Sequence, residues 1–334
     1  MTLLHKGILK IKSKSRYWQR DIFWNLGLNN NFHKNTNGSR IIIYHGICQS
    51  DHTRFNNIFL KLKTFEAHLK FYKKYFNVIS LNDYYQQRFS NDRFNVCITF
   101  DDGYANNHKY VLPLLEQYQL PATFFITSIR DAGFDILWND FLGIISRYGP
   151  GILRYNNELF KKNIWNKYVS ESTGIIFQEI IRSGGFNEKV KMMEQLGGLV
   201  NFRENKLEQD YWLQMTARQI NELSLSKYVT IGGHSCYHND LSRIPIGAAR
   251  TELIQSKKYL EGIIQKEIKA FAFPYGTYTR EVVAEAKIAG YNQLLAVNFS
   301  FPEDFSDTTM RERFTVNPFI SVNNQMYANL TGRY

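Results

Sequence analysis

Residues 96–107 read VCITFDDGYANN. Val96 to Phe100 form a short β-branched and aromatic run, the composition of a buried strand. The run then ends on two adjacent carboxylates, Asp101 and Asp102, and a glycine. Two like charges side by side raise each other's pKa and cost stability unless something offsets one of them. Taken alone, Asp-Asp-Gly after a strand is ordinarily a turn that caps a helix. In parallel α/β folds, however, functional groups stand at the C-terminal ends of strands.

Outward from this stretch the same rhythm repeats. Strand-like runs are RIIIYHGI (40–47), NVISL (77–81), RFNVCITF (93–100), PATFFIT (121–127), YVTIGGHS (228–235), IKAFAFPYG (268–276) and NQLLAV (292–297). Helical spacing marks FEAHLKFYKKYF (65–76), KYVLPLLEQYQ (109–119, despite Pro113), GAARTELIQSKKYLEGIIQ (247–265) and TREVVAEAKIAG (279–290). Strands alternating with helices imply an α/β fold with a parallel sheet or barrel. Residues 136–211 break the rhythm: they are polar, dotted with aromatics and mostly helical in period. They read as an insertion above the face where strand-to-helix loops emerge.

Four strand ends carry usable polar groups. One is the Asp101–Asp102 pair. A second is HSCYH, with His234 and His238. A third is the Pro274-Tyr275-Gly276 turn, and the fourth is His45. HSCYH follows IGG and precedes NDLS, which places both imidazoles in a loop. Two histidines and a carboxylate are a common three-ligand set for a catalytic divalent metal with one position open. Imidazole suits zinc and its transition-metal neighbours. One carboxylate can then bind the ion, and the other is a natural general base.

In order, TFDDG (99–103), HSCYH (234–238) and FAFPYG (271–276) resemble the motifs of the polysaccharide deacetylases of the NodB-homology type, carbohydrate esterase family 4. YWLQMTARQINEL (211–223) and NDLS (239–242) resemble the same family. The likeness covers about residues 40–130 and 210–300. It implies a distorted (β/α)7 barrel over 40–334 with a mostly helical insertion at 136–211. It also implies Asp101 as general base, and Asp102, His234 and His238 as ligands of one divalent metal, zinc by this reading. Pro274 and Tyr275 would line the acyl groove, with the Tyr275 N–H as oxyanion donor. Ser235 would brace the loop between the histidines.

Two departures stand out. The family's third motif carries an arginine that orients the base; here that position is Ala272, with Arg311 and Arg313 as alternatives. The family's C-terminal acid is a histidine, and no histidine follows His238. IIIYHGI resembles the first strand of the circularly permuted biofilm-polysaccharide N-deacetylases, which implies His45 as the acid. His108 reads as a surface or packing residue. The activity implied is hydrolysis of an N-acetyl group on an amino sugar. The alternative, a non-catalytic glycan-binding scaffold, rests on the missing arginine.

Composition bounds the partners. Of 334 residues, 41 are Lys or Arg and 30 Asp or Glu, a net charge of +11 that favours anionic partners. No nucleic-acid-binding signature accompanies it. Residues 1–39 form a basic arm in which Lys6, Lys10, Lys12, Lys14, Arg16 and Arg20 interleave with Leu9, Ile11, Tyr17, Trp18, Ile22, Phe23 and Trp24. Such a mixture suits a lipid interface. Cys48, Cys97 and Cys236 are widely spaced and imply no disulfide framework. No apolar run is long enough for a signal peptide or a membrane span. The expectation is a cytoplasmic enzyme at the inner face of the membrane, acting on an N-acetylated glycan carried on a polyprenyl phosphate.

Overall fold

The computed structural model describes residues 15–28, 32–33, 36–204 and 206–334. Lys6, Leu9, Lys10, Ile11, Lys12 and Lys14 of the basic arm lie outside the described residues. Eight parallel strands form the main sheet: Ser39–Tyr44 (β1), Asn95–Phe100 (β2), Ala122–Ile126 (β3), Val229–Gly233 (β4), Ala270–Ala272 (β5), Gln293–Ala296 (β6), Met310–Glu312 (β7) and Phe314–Thr315 (β8). Their order is β7-β6-β5-β4-β3-β2-β1-β8, and Asn77–Val78 adds to the start of β2. Only Arg313 separates β7 from β8. Residues 310–312 pair with β6, and Phe314 and Thr315 pair with β1. One stretch, 310–315, therefore acts as a seventh strand that changes partner halfway and closes the ring. The result is a distorted (β/α)7 barrel.

Side chains alternate along each strand with a period of two. Ile41, Cys97, Phe125, Ala270, Ala272 and Leu295 form one cluster, which fills the barrel. Their neighbours Ile42, Ile98, Phe124, Phe271 and Leu294 join the core under the outer helices. Burial on both faces explains why these strands read as unbroken apolar runs.

The helices are 15–25 (α1), Leu62–Tyr75 (α2), Leu81–Tyr85 (α3), Leu112–Tyr118 (α4), Trp138–Tyr148 (α5), Phe177–Ser183 (α6), Phe186–Leu196 (α7), Ala217–Ser224 (α8), Ile246–Ile264 (α9), Arg280–Ile288 (α10) and Val322–Thr331 (α11). Pro113 sits in the first turn of α4, just after a π-turn at Asn107–Val111, where a missing N–H costs little. NVISL is strand only at Asn77–Val78; Ser80 then caps α3 through the Asp83 N–H.

Helix α1 packs on α11 and α2. Ser321 Oγ donates to Asp21 at 2.6 Å, Asn324 Nδ2 donates to the Tyr17 carbonyl at 3.0 Å, and the Arg20 guanidinium lies 3.6 Å over the Tyr327 ring. Ser321 caps the start of α11, at the end of the barrel where the strands finish. The N-terminal end of the described part of α1 thus lies at that end of the barrel.

Between β3 and β4 the insertion builds its own core from Trp138, Phe141, Leu153, Phe160, Phe177 and Met192. It is not helical throughout. Ile152–Tyr155, Glu158–Lys162 and Tyr168–Ser170 form a three-stranded antiparallel sheet, which helical periodicity did not announce. Its signal was the Asn156-Asn157 pair. Both residues take positive φ (46° and 65°), as a two-residue hairpin turn requires.

Candidate active site

Register brings the strand ends level. Tyr44 pairs with Phe100, Phe100 with Phe124, and Gly233 with both Ile126 and Phe271. The next residues along, His45, Asp101 and His234, therefore emerge together on one face. Asp102 takes a left-handed backbone (φ 76°), as do Ser235 (63°), His238 (54°) and Tyr275 (61°). L-residues pay for that conformation in strain, and such strain collects at functional sites. Gly103 follows with φ +86°; a Cβ there would lie 2.8 Å from Ile126 Cγ2.

Asp102, His234 and His238 converge. Asp102 Oδ1 is 3.4 Å from His234 Nε2 and 3.2 Å from His238 Nε2, and all three side chains are buried. One potential ligand atom from each lies within 4.8 Å of the others. His234 Nδ1 is 2.7 Å from the Ala272 carbonyl, so Nδ1 donates there and Nε2 is the ring nitrogen that faces Asp102. Asp102 Oδ1 and His238 Nδ1 are buried without a hydrogen-bond partner. A buried carboxylate oxygen facing two imidazoles and bonded to neither fits a cation held between them. Burial works to raise the Asp102 pKa, but His238 and His234 hold it well below the ordinary carboxylate value.

Asp101 is treated differently. Arg313 grips it with two parallel bonds, 2.7 Å to Oδ1 and 2.8 Å to Oδ2, and both residues are buried. Burial pushes the Asp101 pKa up; the Arg313 charge and its hydrogen bonds, with His234, bring it below its usual value. His45 stands one strand away, since the Asp101 N–H donates to the Tyr44 carbonyl at 3.0 Å. Burial lowers the His45 pKa while the charges of Asp102 and Asp101 act against that shift. The end of the opening stretch holds this loop: Asn107 Nδ2 donates to the His45 carbonyl, and the Ile47 N–H donates to Asn106 Oδ1, both at 2.9 Å.

Pro274 and Tyr275 lie in a short 3-10 turn beyond β5. The Tyr275 ring stands 4.8 Å from that of His238, and its hydroxyl is buried without a partner. Ser235 Oγ accepts from the His238 N–H at 3.1 Å, so Ser235 sits inside the loop that presents both histidines. His108 lies away from this group, 3.1 Å from Glu222 on the surface of α8.

A family model for polysaccharide deacetylase matches residues 90–136 and 207–294, the two blocks that carry Asp101, Asp102, His234, His238 and Tyr275. Over these two blocks the chain carries a polysaccharide deacetylase domain. Such a domain makes it a hydrolase that acts on amide-linked acetyl groups. Among solved structures, the Streptococcus pyogenes deacetylase PplD in complex with acetate aligns with TM-score 0.55 and 16% identity over 86% of this chain and 96% of that one. A polysaccharide deacetylase from Bacillus cereus aligns with TM-score 0.54 and 16% identity over 89% and 70%. IcaB from Ammonifex degensii aligns with TM-score 0.52 and 15% identity over 88% and 97%. These likenesses are of fold. No curated protein matches the chain.

Against this family's pattern, Arg313 stands in for the motif arginine. Ala272 faces the barrel interior in the cluster that contains Phe125, and the Arg313 guanidinium lies 5.3 Å from the Phe125 ring. Arg311 turns elsewhere, bonding the Met310 carbonyl at 2.6 Å and lying over Tyr85.

The deacetylase blocks leave out the insertion, yet the insertion reaches the site. Trp138 Nε1 donates to the His238 carbonyl at 3.2 Å. Lys189 Nζ donates to Asn239 Oδ1 at 2.5 Å. Arg182 pairs with Asp240 at 2.6 Å, and its guanidinium lies 4.0 Å over the Tyr275 ring. Three consecutive residues, beginning with a candidate ligand, are thus each held by a different insertion helix. Sequence reading found none of these three, and nothing local marks them; each bond joins residues at least 50 positions apart.

Proposed function

We propose that the chain removes the N-acetyl group from an amino sugar of a bacterial surface polysaccharide or of its lipid-linked precursor. The observation that carries this is the unequal treatment of two neighbouring carboxylates. Asp102 faces two imidazoles, while Asp101 is held ionised by Arg313 beside them and outside that trio. Asp102, His234 and His238 would hold one divalent ion; a two-imidazole, one-carboxylate set suits zinc. When bound, the ion supplies positive charge that polarises the acyl carbonyl.

The remaining steps belong to the chain's own residues. Asp101 takes a proton from the water that attacks the acyl carbon. The Tyr275 N–H supports the oxygen that becomes negative. His45 gives a proton to the nitrogen as the C–N bond breaks, leaving a free amino sugar and acetate. The reading as a non-catalytic binder rested on the missing arginine, and Arg313 removes that ground.

Membrane contact and a polyprenyl-phosphate carrier belong to the same proposal. Trp18 (69% exposed), Phe23, Leu26 and Leu28 stand in solvent on and after α1, continuous with the basic arm. Aromatics beside cations favour an anionic lipid interface, here the inner face of the cytoplasmic membrane. Among the described residues no helix is long and apolar enough to cross a membrane.

The test is amine release from N-acetylated sugars presented free, nucleotide-linked and polyprenyl-linked, with metal-stripped and zinc-reconstituted protein. Zinc-dependent release that Asp101→Asn abolishes supports the proposal, and the preferred presentation names the carrier. One zinc bound with no release from any presentation would overturn the catalytic reading.

A further inference from the structure

Beside the metal trio lies a second concavity of about 410 Å³, lined by the loop 53–57, helix α5 and the turn 165–167 of the insertion sheet. It does not coincide with the trio. The wall between them is one layer of side chains: Tyr104, two residues past Asp102, donates to Asp140 Oδ2 at 2.9 Å. Asn56 Nδ2 donates to Asp140 Oδ1 at 2.8 Å and to the Tyr104 hydroxyl at 3.2 Å. Helix α5 thus begins on the His238 carbonyl and continues as the floor of this cavity.

The lining is built for a charged, hydroxylated ligand. Trp165 offers a flat face 71% exposed at the rim. The buried Oδ1 of Asn139 has no hydrogen-bond partner. Arg54 is already paired with Glu208 at 2.8 Å. Arg147 and Lys167, both exposed at the rim, have no acidic partner among the described residues. Two uncompensated cations over a concave floor concentrate anions. An aromatic plate with amides suits a sugar ring and its hydroxyls.

We propose that this cavity is a subsite for a sugar bearing a negative group, a carboxylate or a phosphate, joined to the sugar held at the trio. The chemistry of the ligand is read from the cavity alone; only its connection to the reacting sugar rests on the deacetylase proposal. The insertion then selects which glycan is processed.

Calorimetric titration of the full chain tests it with three probes: chitotriose, a trisaccharide of the same length containing a uronic acid, and N-acetylglucosamine 6-phosphate. Binding needs no turnover, so the outcome is independent of whether deacetylation is observed. At least one anionic probe should bind about tenfold more tightly than chitotriose, and Arg147→Gln/Lys167→Gln should erase that preference. The probe that gains distinguishes carboxylate from phosphate. Trp165→Ala should weaken the preferred probe about tenfold. All three substitutions are at exposed positions, and unchanged thermal midpoints would show that the fold survives. Equal binding of neutral and anionic probes, or a preference that persists in the double variant, would overturn the proposal.

Discussion

In the barrel, polar side chains stand on strand ends, and neighbouring strands carry them together. In the insertion, they stand on helices and reach across a gap to the loop 238–240. Both regions bury large aromatics in a core of their own. The difference lies in how position is inherited. A barrel residue is placed by its register, which local sequence sets within a few residues. An insertion residue is placed by how one packed body sits on another. Barrel substitutions should therefore alter the chemical step, whereas insertion substitutions should alter how firmly the ligand loop is held.

The largest effect is expected at Asp101. Asp101→Asn should lower kcat by about 10²–10⁴ while zinc stoichiometry stays near one, and His238→Ala should lose the metal itself. Paired zinc analysis and initial rates check this; loss of metal from Asp101→Asn would merge two roles that the geometry keeps apart.

Next comes Arg313. Replacing it with Gln leaves a buried carboxylate without its bidentate partner, a cost of about 3–5 kcal/mol in stability. Urea unfolding measures this. A loss under about 1 kcal/mol would mean that the pair is solvated and that Asp101 is not held from the seam.

A third effect is confined to the barrel wall. His68 is buried, its Nδ1 lies 3.0 Å from the Tyr44 hydroxyl, and burial lowers its pKa from 6.5 to about 3. Between those values the unfolded chain binds a proton that the folded chain excludes. This contribution is intact above pH 6.5 and is lost as pH falls toward 3. At pH 5 the loss is about 2 kcal/mol. Between pH 7 and 5, His68→Gln should lose about 2 kcal/mol less than the parent chain; parallel losses would remove His68 as the cause.

The smallest effect belongs to the insertion. Trp138→Phe removes one buried hydrogen bond to the His238 carbonyl, about 1 kcal/mol, with zinc affinity falling severalfold and kcat nearly unchanged. Competition with a chelator measures the affinity. Abolished turnover at full zinc occupancy would place the insertion within the catalytic machinery and break the contrast.

The same contrast explains what could be read beforehand. Asp101, Asp102, His234 and His238 lie in two compact motifs at the ends of apolar runs, so strand spacing alone pointed to them. Arg313 lies 212 residues from Asp101. Its neighbourhood is set by closure of the ring, so it stayed level with Arg311 until the chain was seen folded. Trp138, Arg182 and Lys189 carry no motif at all. The insertion sheet was missed, because the helical period of 136–211 hid it; the turn chemistry of Asn156-Asn157 was the local signal that went unread.

The stretch 310–315 carries a consequence for the order of assembly. It is the last part of the barrel to leave the ribosome, and it brings both the closing hydrogen bonds and the arginine for Asp101. A nascent chain that ends before residue 310 already contains the two carboxylates and both histidines. It lacks the cation that keeps Asp101 charged. Ring closure and the pairing of Asp101 with its arginine are then a single event, so an incomplete chain holds the two carboxylates before it holds the cation that offsets one of them.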